Sequence, residues 1–168
     1  CPEMHIRREQ LIGLMGKTMD CFARELLPEY EMDQAMEIIH ACERDENEYL
    51  SHVGATLYGD VRKVFERLRG MGYEIGIVSN CQAGYIEVFL ETSGLGSYFE
   101  GHLCPGDTGN AKADNICKII QEYHLKAPVY VGDTLGDFNA TKTAGIPFVF
   151  ASYGFGHVPS PDYTIHCP

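Results

Sequence analysis

Two aspartates four residues apart lie in the stretch VYVGDTLGDF, where an apolar run ends at a glycine. Asp133 directly follows that run, and Asp137 lies one turn into a predicted helix. Magnesium in proteins is bound through one or two carboxylates, completed by waters and phosphate oxygens. The same spacing suits a capping box, with Thr134 as the N-cap of the helix and Asp137 as its third residue. The spacing leaves both interpretations open for Asp137, whereas the position of Asp133 favours the metal.

A lysine and a Ser-Asn pair also lie at the start of a predicted helix or directly after an apolar run. Lys112 opens the helix that leads into VYV, and Asn110 is a natural N-cap for that helix. A cation in a first helical turn opposes the helix dipole, whereas a bound anion makes the two act together. Ser79 and Asn80 follow the apolar run YEIGIV, and both are also favoured N-caps for a helix at 82–93. A solvated lysine and two capping residues are therefore the alternatives to a phosphate site.

The stretch GLMGKT ends like a nucleotide-binding phosphate loop. The full pattern needs a glycine where Leu11 stands, and a preceding strand where this sequence predicts a helix. We therefore do not predict a P-loop. Lys17 and Thr18 occupy a glycine-broken elbow between two helices, and we retain both as candidate substrate-binding residues.

The chain that must position these residues divides into two parts. From about 5 to 50, apolar residues recur every three or four positions, with breaks at Gly16 and Pro28, which predicts helices. From about 55 onward, short apolar runs alternate with helical segments. This alternation predicts an α/β core, a doubly wound parallel sheet with helices on both faces. We expect a small helical lid over 1–54 and the core over 55–168.

The core elements can be placed along the sequence from their apolar runs. Strands are predicted at 73–78, 98–103, 128–131 and 146–151, with a weaker one at 163–165. Helices are predicted near 60–70, 82–93, 112–124 and 135–144. Ligands of an open parallel sheet bind beyond the carboxyl ends of its strands. We therefore expect Ser79, Asn80, Lys112 and Asp133 to meet at one edge of the sheet.

Composition argues against several classes of protein and leaves a small phosphate ligand open. The 168 residues carry a net charge of -11, which argues against a nucleic-acid partner because no basic surface could replace phosphate counterions. The longest apolar run is too short to cross a bilayer. The seven cysteines are scattered without a CxxC pair, which argues against a zinc site and favours reduced thiols in the cytoplasm.

Taken together, IVSN (77–80), Lys112 in GNAKADN and VGDTLGD (131–137) resemble the haloacid dehalogenase superfamily of hydrolases, in its phosphoglycolate phosphatase-like branch with a helical cap. The resemblance covers roughly 55–155. It implies a Mg²⁺-dependent phosphatase that hydrolyses a small phosphorylated metabolite through an aspartyl-phosphate intermediate.

The resemblance also implies a role for each candidate residue. Ser79 and Asn80 would hold the phosphoryl oxygens, and Lys112 would neutralise the charge on the phosphoryl group. Asp133 would ligate Mg²⁺. Asp137 would ligate the metal directly or through water, or would orient Lys112. The lid would exclude water and select the leaving group.

The nucleophile of this family, an aspartate in a DxD motif on a central strand, is not found in this sequence. We hypothesise that the sequence is truncated at both ends, that the intact protein is heavier than these 168 residues, and that the middle of the sheet is left open. Alternatives are a phosphomutase, a metal-free dehalogenase, which the two aspartates disfavour, and an inactive module that binds phosphate or a partner protein.

Overall fold

The described part of the predicted lid contains three helices: α1 (Arg8–Ile12), α2 (Met19–Leu26) and α3 (Met32–Val53). The computed structural model describes residues 6–168, so the start of the helical pattern predicted from residue 5 lies outside the described residues. The two predicted breaks are confirmed, since α1 and α2 are separated by a turn containing Gly16 and α2 ends before Pro28. Apolar residues of α2 and α3 pack on each other around buried Ala23 and Ile39.

The core alternates helices and strands, as the sequence predicts. Its elements in chain order are α4 (Val61–Gly70), β1 (Gly76–Val78), α5 (Tyr85–Ser93), a 3₁₀ turn (Gly96–Tyr98), β2 (Gly101–Leu103), α6 (Pro105–Thr108), α7 (Lys112–Glu122), β3 (Tyr130–Gly132), α8 (Leu135–Ala144), β4 (Phe148–Ala151) and β5 (Tyr163–Ile165). These helices alternate with parallel strands, as the predicted α/β class requires.

All strand pairings are parallel, but the strands form two separate sheets. One sheet pairs β1 with β2, and the other has the order β3-β4-β5. β1 and β3 are therefore both edge strands within the described residues. The Tyr130 hydroxyl on β3 donates a hydrogen bond to the Val78 carbonyl on β1 at 2.5 Å. This side-chain contact, rather than a backbone ladder, links the two strands, and the sheet is open between them.

Helix α7 holds the two sheets together. Its buried residues Ile116 and Ile119 form one apolar cluster with Val78 of β1, and Tyr130 of β3 packs against that cluster. Burial of a large aliphatic side chain stabilises a fold by about 1.5–3 kcal/mol. The apolar face of α7 therefore fixes the distance between the carboxyl ends of β1 and β3, where the candidate residues lie.

Two predicted N-caps are wrong. The N-cap of α7 is Ala111, and the backbone N–H of Asn110 donates instead to the Thr108 hydroxyl at 3.1 Å. The N-cap of α5 is Gly84, in the left-handed conformation. Ser79 and Asn80 are thus separated from α5 by a turn and do not cap it, which removes the capping alternative for both residues.

Two observations concern the chain as a whole. No helix within residues 6–168 combines the length and the apolar character that crossing a membrane requires. The described cysteines, from Cys21 to Cys167, are all free thiols.

Candidate active site

Six of the predicted site residues line one cavity of about 850 Å³ at the open edge between the two sheets: Lys17, and the core residues Ser79, Asn80, Lys112, Asp133 and Asp137. Each of the five core residues follows the carboxyl end of β1 or β3, or lies in the first turn of α7 or α8. Parallel strands place their carboxyl ends on the same side of a fold, so residues far apart in sequence meet there.

The centre of the site is a buried ion pair. Lys112, the first residue of α7, donates from Nζ to Asp137 Oδ1 at 2.5 Å, and the two side chains are 9% and 7% exposed. Burial raises the pKa of Asp137, but the charge and hydrogen bond of Lys112 and the hydrogen bonds of Thr134 outweigh burial and hold that pKa below its ordinary value. Asp137 is therefore an anion that faces a fixed ammonium group.

The other oxygen of Asp137 belongs to the capping box, which is confirmed. Asp137 Oδ2 accepts hydrogen bonds from the Thr134 N–H at 3.0 Å, the Thr134 hydroxyl at 2.8 Å and the Asp133 N–H at 3.2 Å. Both carboxylate oxygens are thus engaged. Of the three roles considered for Asp137, these contacts favour the orientation of Lys112, and a role as metal ligand stays a prediction.

Asp133 is held by the loop that follows β4. Its Oδ2 accepts the Phe155 N–H at 2.7 Å, and a Cβ added at Gly154 would lie 2.3 Å from that carboxylate. No group of three or more His, Cys, Asp or Glu residues that could hold a metal ion occurs within residues 6–168. Magnesium, however, requires only one or two protein carboxylates. Asp133 fits the role of a single carboxylate ligand.

Asn80 connects the site to the lid. Its Nδ2 donates to the Gly16 carbonyl at 2.9 Å, and its Oδ1 is buried with no hydrogen-bond partner among residues 6–168. The neighbouring Ser79 is fixed by its backbone, which donates to the Leu103 carbonyl at 3.2 Å. The structure places both side chains on the cavity wall, and phosphoryl binding by them stays a prediction.

The elbow between α1 and α2 packs directly on the site. Gly16 has φ +80°, and a Cβ added there would lie 2.8 Å from Thr134 Cγ2. Lys17 lines the same cavity as Lys112, and its Nζ lies 2.6 Å from Glu25 Oε1. Thr18 lies along a neighbouring cavity of about 550 Å³, and its hydroxyl donates to Asp20. Of the two predicted lid residues, Lys17 therefore shares the cavity with the site and Thr18 borders the other one.

Sequence reasoning missed Tyr130. Lys112 Nζ lies 5.8 Å from the centre of its ring, and burial, followed by the charge of Asp137, raises the pKa of Tyr130 well above its ordinary value. The hydroxyl is therefore protonated and donates a hydrogen bond. In sequence Tyr130 is one apolar residue within VYV, so the pattern carries no signal for this contact.

A second missed feature was visible in sequence. The stretch SYGFGH has two glycines, and a Cβ at Gly156 would lie 2.4 Å from the Asp133 carbonyl oxygen. Paired glycines after an apolar strand are a signal for a close backbone approach.

Comparison with known proteins identifies the family. A family model described as Haloacid dehalogenase-like hydrolase matches residues 2–151. The phosphoglycolate phosphatase of Aliivibrio fischeri is 31% identical over 118 residues, which are 67% of this chain and 50% of that protein. The phosphoglycolate phosphatase of Nitrosococcus oceani is 29% identical over 136 residues, 77% of this chain and 58% of that protein. The chain thus spans about half the length of these curated relatives.

Solved structures agree on the fold. A haloacid dehalogenase-like family hydrolase from Streptococcus pneumoniae matches with a TM-score of 0.81 and 20% identity, over 96% of this chain and 78% of that one. A predicted phosphoglycolate phosphatase from Haemophilus somnus matches with a TM-score of 0.81 and 19% identity, over 98% of this chain and 81% of that one. From the family model, with these structures in agreement on the fold, the chain belongs to the haloacid dehalogenase-like hydrolase family.

Proposed function

We propose that the protein is a Mg²⁺-dependent phosphatase that hydrolyses a small phosphorylated metabolite. The observation that carries this proposal is the buried ion pair of Lys112 and Asp137, which lies beside Asp133 in one cavity. Phosphoryl transfer requires chiefly fixed positive charge and correct positioning rather than covalent chemistry. The names of the curated relatives, phosphoglycolate phosphatases, support the same class of reaction.

In this proposal Lys112 binds the phosphoryl group. An ammonium has three donors, and Asp137 accepts one of them at 2.5 Å. The remaining donors can reach phosphoryl oxygens in the cavity. Because the side chain is only 9% exposed, its charge is poorly screened by water and acts strongly on a bound anion. Ser79 and Asn80 would add a hydroxyl and an amide N–H on the opposite side, next to β1.

Asp133 would hold the metal in this proposal. The Phe155 N–H fixes Oδ2 of this carboxylate, so the position of the other oxygen is also determined. Bound Mg²⁺ would supply positive charge that offsets the charge of the phosphoryl oxygens. Asp137 would keep the ammonium of Lys112 aimed at the same group.

We further propose that the attacking group is an aspartate on a strand that fills the opening between β1 and β3. Both strands are edges there, and edge strands present unpaired N–H and C=O groups on which another strand can pair. A residue at the carboxyl end of such a strand would lie between Asn80 and Asp133, on the wall of the same cavity. Attack by that carboxylate on phosphorus would break the ester P–O bond, release the alcohol and give the aspartyl-phosphate intermediate, which water would then hydrolyse to phosphate.

The division into a lid at 1–54 and a core at 55–168 stays a proposal. It is supported by the end of α3 at Val53, followed by Gly54 with φ +68°. A cytoplasmic location is likewise proposed, in keeping with free thiols at positions such as the exposed Cys42.

The test is hydrolysis of a panel of phosphate esters by the intact protein, with and without Mg²⁺. Asp133→Asn should lower the metal-dependent rate by about a hundredfold or more. Asp60→Asn is the matched control, because Asp60 is an exposed carboxylate that pairs with Lys63 outside the cavity, and it should leave the rate unchanged. Equal rates for the Asp133 variant and the unmodified protein would refute the metal assignment. Phosphate binding without hydrolysis would support the inactive module instead.

A further inference from the structure

We call the part of the cavity around Lys112 and Asp133 the phosphoryl end. Beyond it, the cavity wall is built mainly of apolar side chains of the lid: Leu11, Met15, Met19, Phe22, Leu26 and Ile38. The cavity runs from Lys112 and Asp133 to these lid side chains, so a ligand that occupies it reaches beyond its phosphoryl group. The alcohol part of a phosphate ester bound at Lys112 would therefore extend along this lid wall.

Part of this apolar wall is left exposed. Leu11 and Met15 are 40% and 43% exposed although they line a concave surface. Covering apolar surface of this kind is favourable in proportion to the area removed from water. A hydrocarbon chain or ring on the alcohol would gain that contribution, whereas a small polar alcohol would not.

The cations on the wall are already paired. Among the described lining residues, Lys17 and Lys112 are the lysines. Lys112 pairs with Asp137 and, in the proposed function, binds the phosphoryl group. Lys17 Nζ lies 2.6 Å from Glu25 Oε1. The exposed pair of Lys17 is weak, but a second anionic group on the substrate would have to compete with Glu25 for that ammonium.

Carboxylates occupy the same wall. Glu43 and Glu46 lie one turn apart on α3 and both line the cavity. Glu43 Oε2 lies 2.7 Å from His40 Nδ1, whereas Glu46 Oε2 accepts from the neutral Gln82 amide at 2.8 Å. Among the described residues, no cation in direct contact offsets the charge of Glu46, and this charge repels an anion placed against the lid.

We propose that the site selects phosphomonoesters whose alcohol is apolar and carries no second negative charge. This substrate class rests on the proposed phosphoryl site. It differs from the substrate in the names of the curated relatives, because the alcohol part of phosphoglycolate bears a carboxylate.

The test uses three phosphonates that cannot be hydrolysed, titrated into the intact protein with Mg²⁺ and followed by calorimetry. Methylphosphonate probes the phosphoryl end alone. Benzylphosphonate adds an apolar ring, and 3-phosphonopropionate adds a carboxylate and has the shape of phosphoglycolate. Benzylphosphonate should bind about tenfold or more tightly than methylphosphonate, because the ring covers the lid wall. The propionate should bind no more tightly than methylphosphonate.

A pair of lid variants separates the cavity from the rest of the lid. Met15→Lys introduces a cation into the wall and should raise the affinity for 3-phosphonopropionate while lowering that for benzylphosphonate. Ile12→Lys is the matched control, since Ile12 is also 43% exposed but does not line the cavity. This control should bind all three compounds like the unmodified protein.

The outcomes distinguish the substrate class from the phosphoryl site. If methylphosphonate fails to bind, or binds equally well to Lys112→Ala, the proposed function is wrong and the substrate class falls with it. If methylphosphonate binds through Lys112, and the propionate then binds more tightly than the benzyl compound, only the substrate class is overturned. Equal affinities for the methyl and benzyl compounds would overturn it as well.

Discussion

The ion pair of Lys112 and Asp137 predicts an unequal cost for losing either partner. Asp137→Ala leaves the ammonium of Lys112 buried, with the face of Tyr130 at 5.8 Å as its remaining contact within the described chain. Lys112→Met leaves a carboxylate that still accepts three hydrogen bonds, from Asp133 and Thr134, at the amino end of α8. Asp137→Ala therefore leaves a buried ammonium without its carboxylate, whereas Lys112→Met leaves a carboxylate that keeps its other hydrogen bonds.

The magnitudes follow from these contacts. Removing one partner of a buried pair and leaving the other charge uncompensated costs about 3–5 kcal/mol, and loss of the capping box adds about 1 kcal/mol, so Asp137→Ala should lower the free energy of unfolding by about 4–6 kcal/mol. Lys112→Met should cost only about 2 kcal/mol, because hydrogen bonds and the helix dipole still compensate the carboxylate. The double variant should cost about 2 kcal/mol less than the sum, as expected for directly coupled residues.

Urea unfolding at neutral pH measures these differences, with unchanged slopes indicating that the unfolded state is the same in each variant. Thr134→Val is a control that removes one hydroxyl of the capping box and leaves both charges in place, and it should cost about 1 kcal/mol. Equal costs for the two charge variants, a larger cost for Lys112→Met, or strict additivity in the double variant would refute the reasoning.

Two further predictions concern pH and the lid. The pKa of Asp137 is lowered in the folded protein, so its contribution to stability is present above the ordinary carboxyl pKa and is lost as pH falls through the folded value. In urea unfolding at several pH values, the difference between the unmodified protein and Asp137→Asn should therefore shrink below about pH 4, and a constant difference would contradict this. Gly16→Ala should lower the free energy of unfolding by about 1–2 kcal/mol, because its φ of +80° disfavours alanine and Thr134 lies in the way. Gly13→Ala is the matched control, with φ -65° and no atom nearer than 3.5 Å to the new Cβ, and it should cost little; equal stability of the two variants would show that the elbow does not depend on Gly16.

The parts of the fold that local chemistry determines could be predicted from sequence. Helix α8 spans Leu135–Ala144 as predicted, with its capping box at Thr134 and a left-handed Gly145 at its end. Each of these signals involves residues within four positions of one another. The position of Lys112 in the first turn of α7 could also be predicted from local sequence, and Lys112 is the first residue of that helix.

Features that depend on distant residues could not be predicted. The strands are shorter than their apolar runs, because β1 pairs with β2 only over Gly76–Val78 although the run begins at Tyr73. Pairing between distant strands leaves no periodicity in the sequence. The predicted N-cap of α7 is wrong for a local reason: propensity alone would place it at Asn110, two residues before α7 begins, but the Asn110 backbone N–H donates to the Thr108 hydroxyl and Ala111 is the N-cap.

Capping and the orientation of Lys112 are not competing roles for Asp137, since each uses a different oxygen of one carboxylate. Oδ2 receives the Thr134 donors of the capping box, and Oδ1 receives the Lys112 ammonium. The cap fixes the orientation of the carboxylate, and the carboxylate in turn fixes the position of the ammonium. Assigning Asp137 only one of these two roles would miss this coupling. The start of α8 therefore determines where positive charge lies at the end of β3, and in the proposed phosphatase this position is where a phosphoryl group would be held.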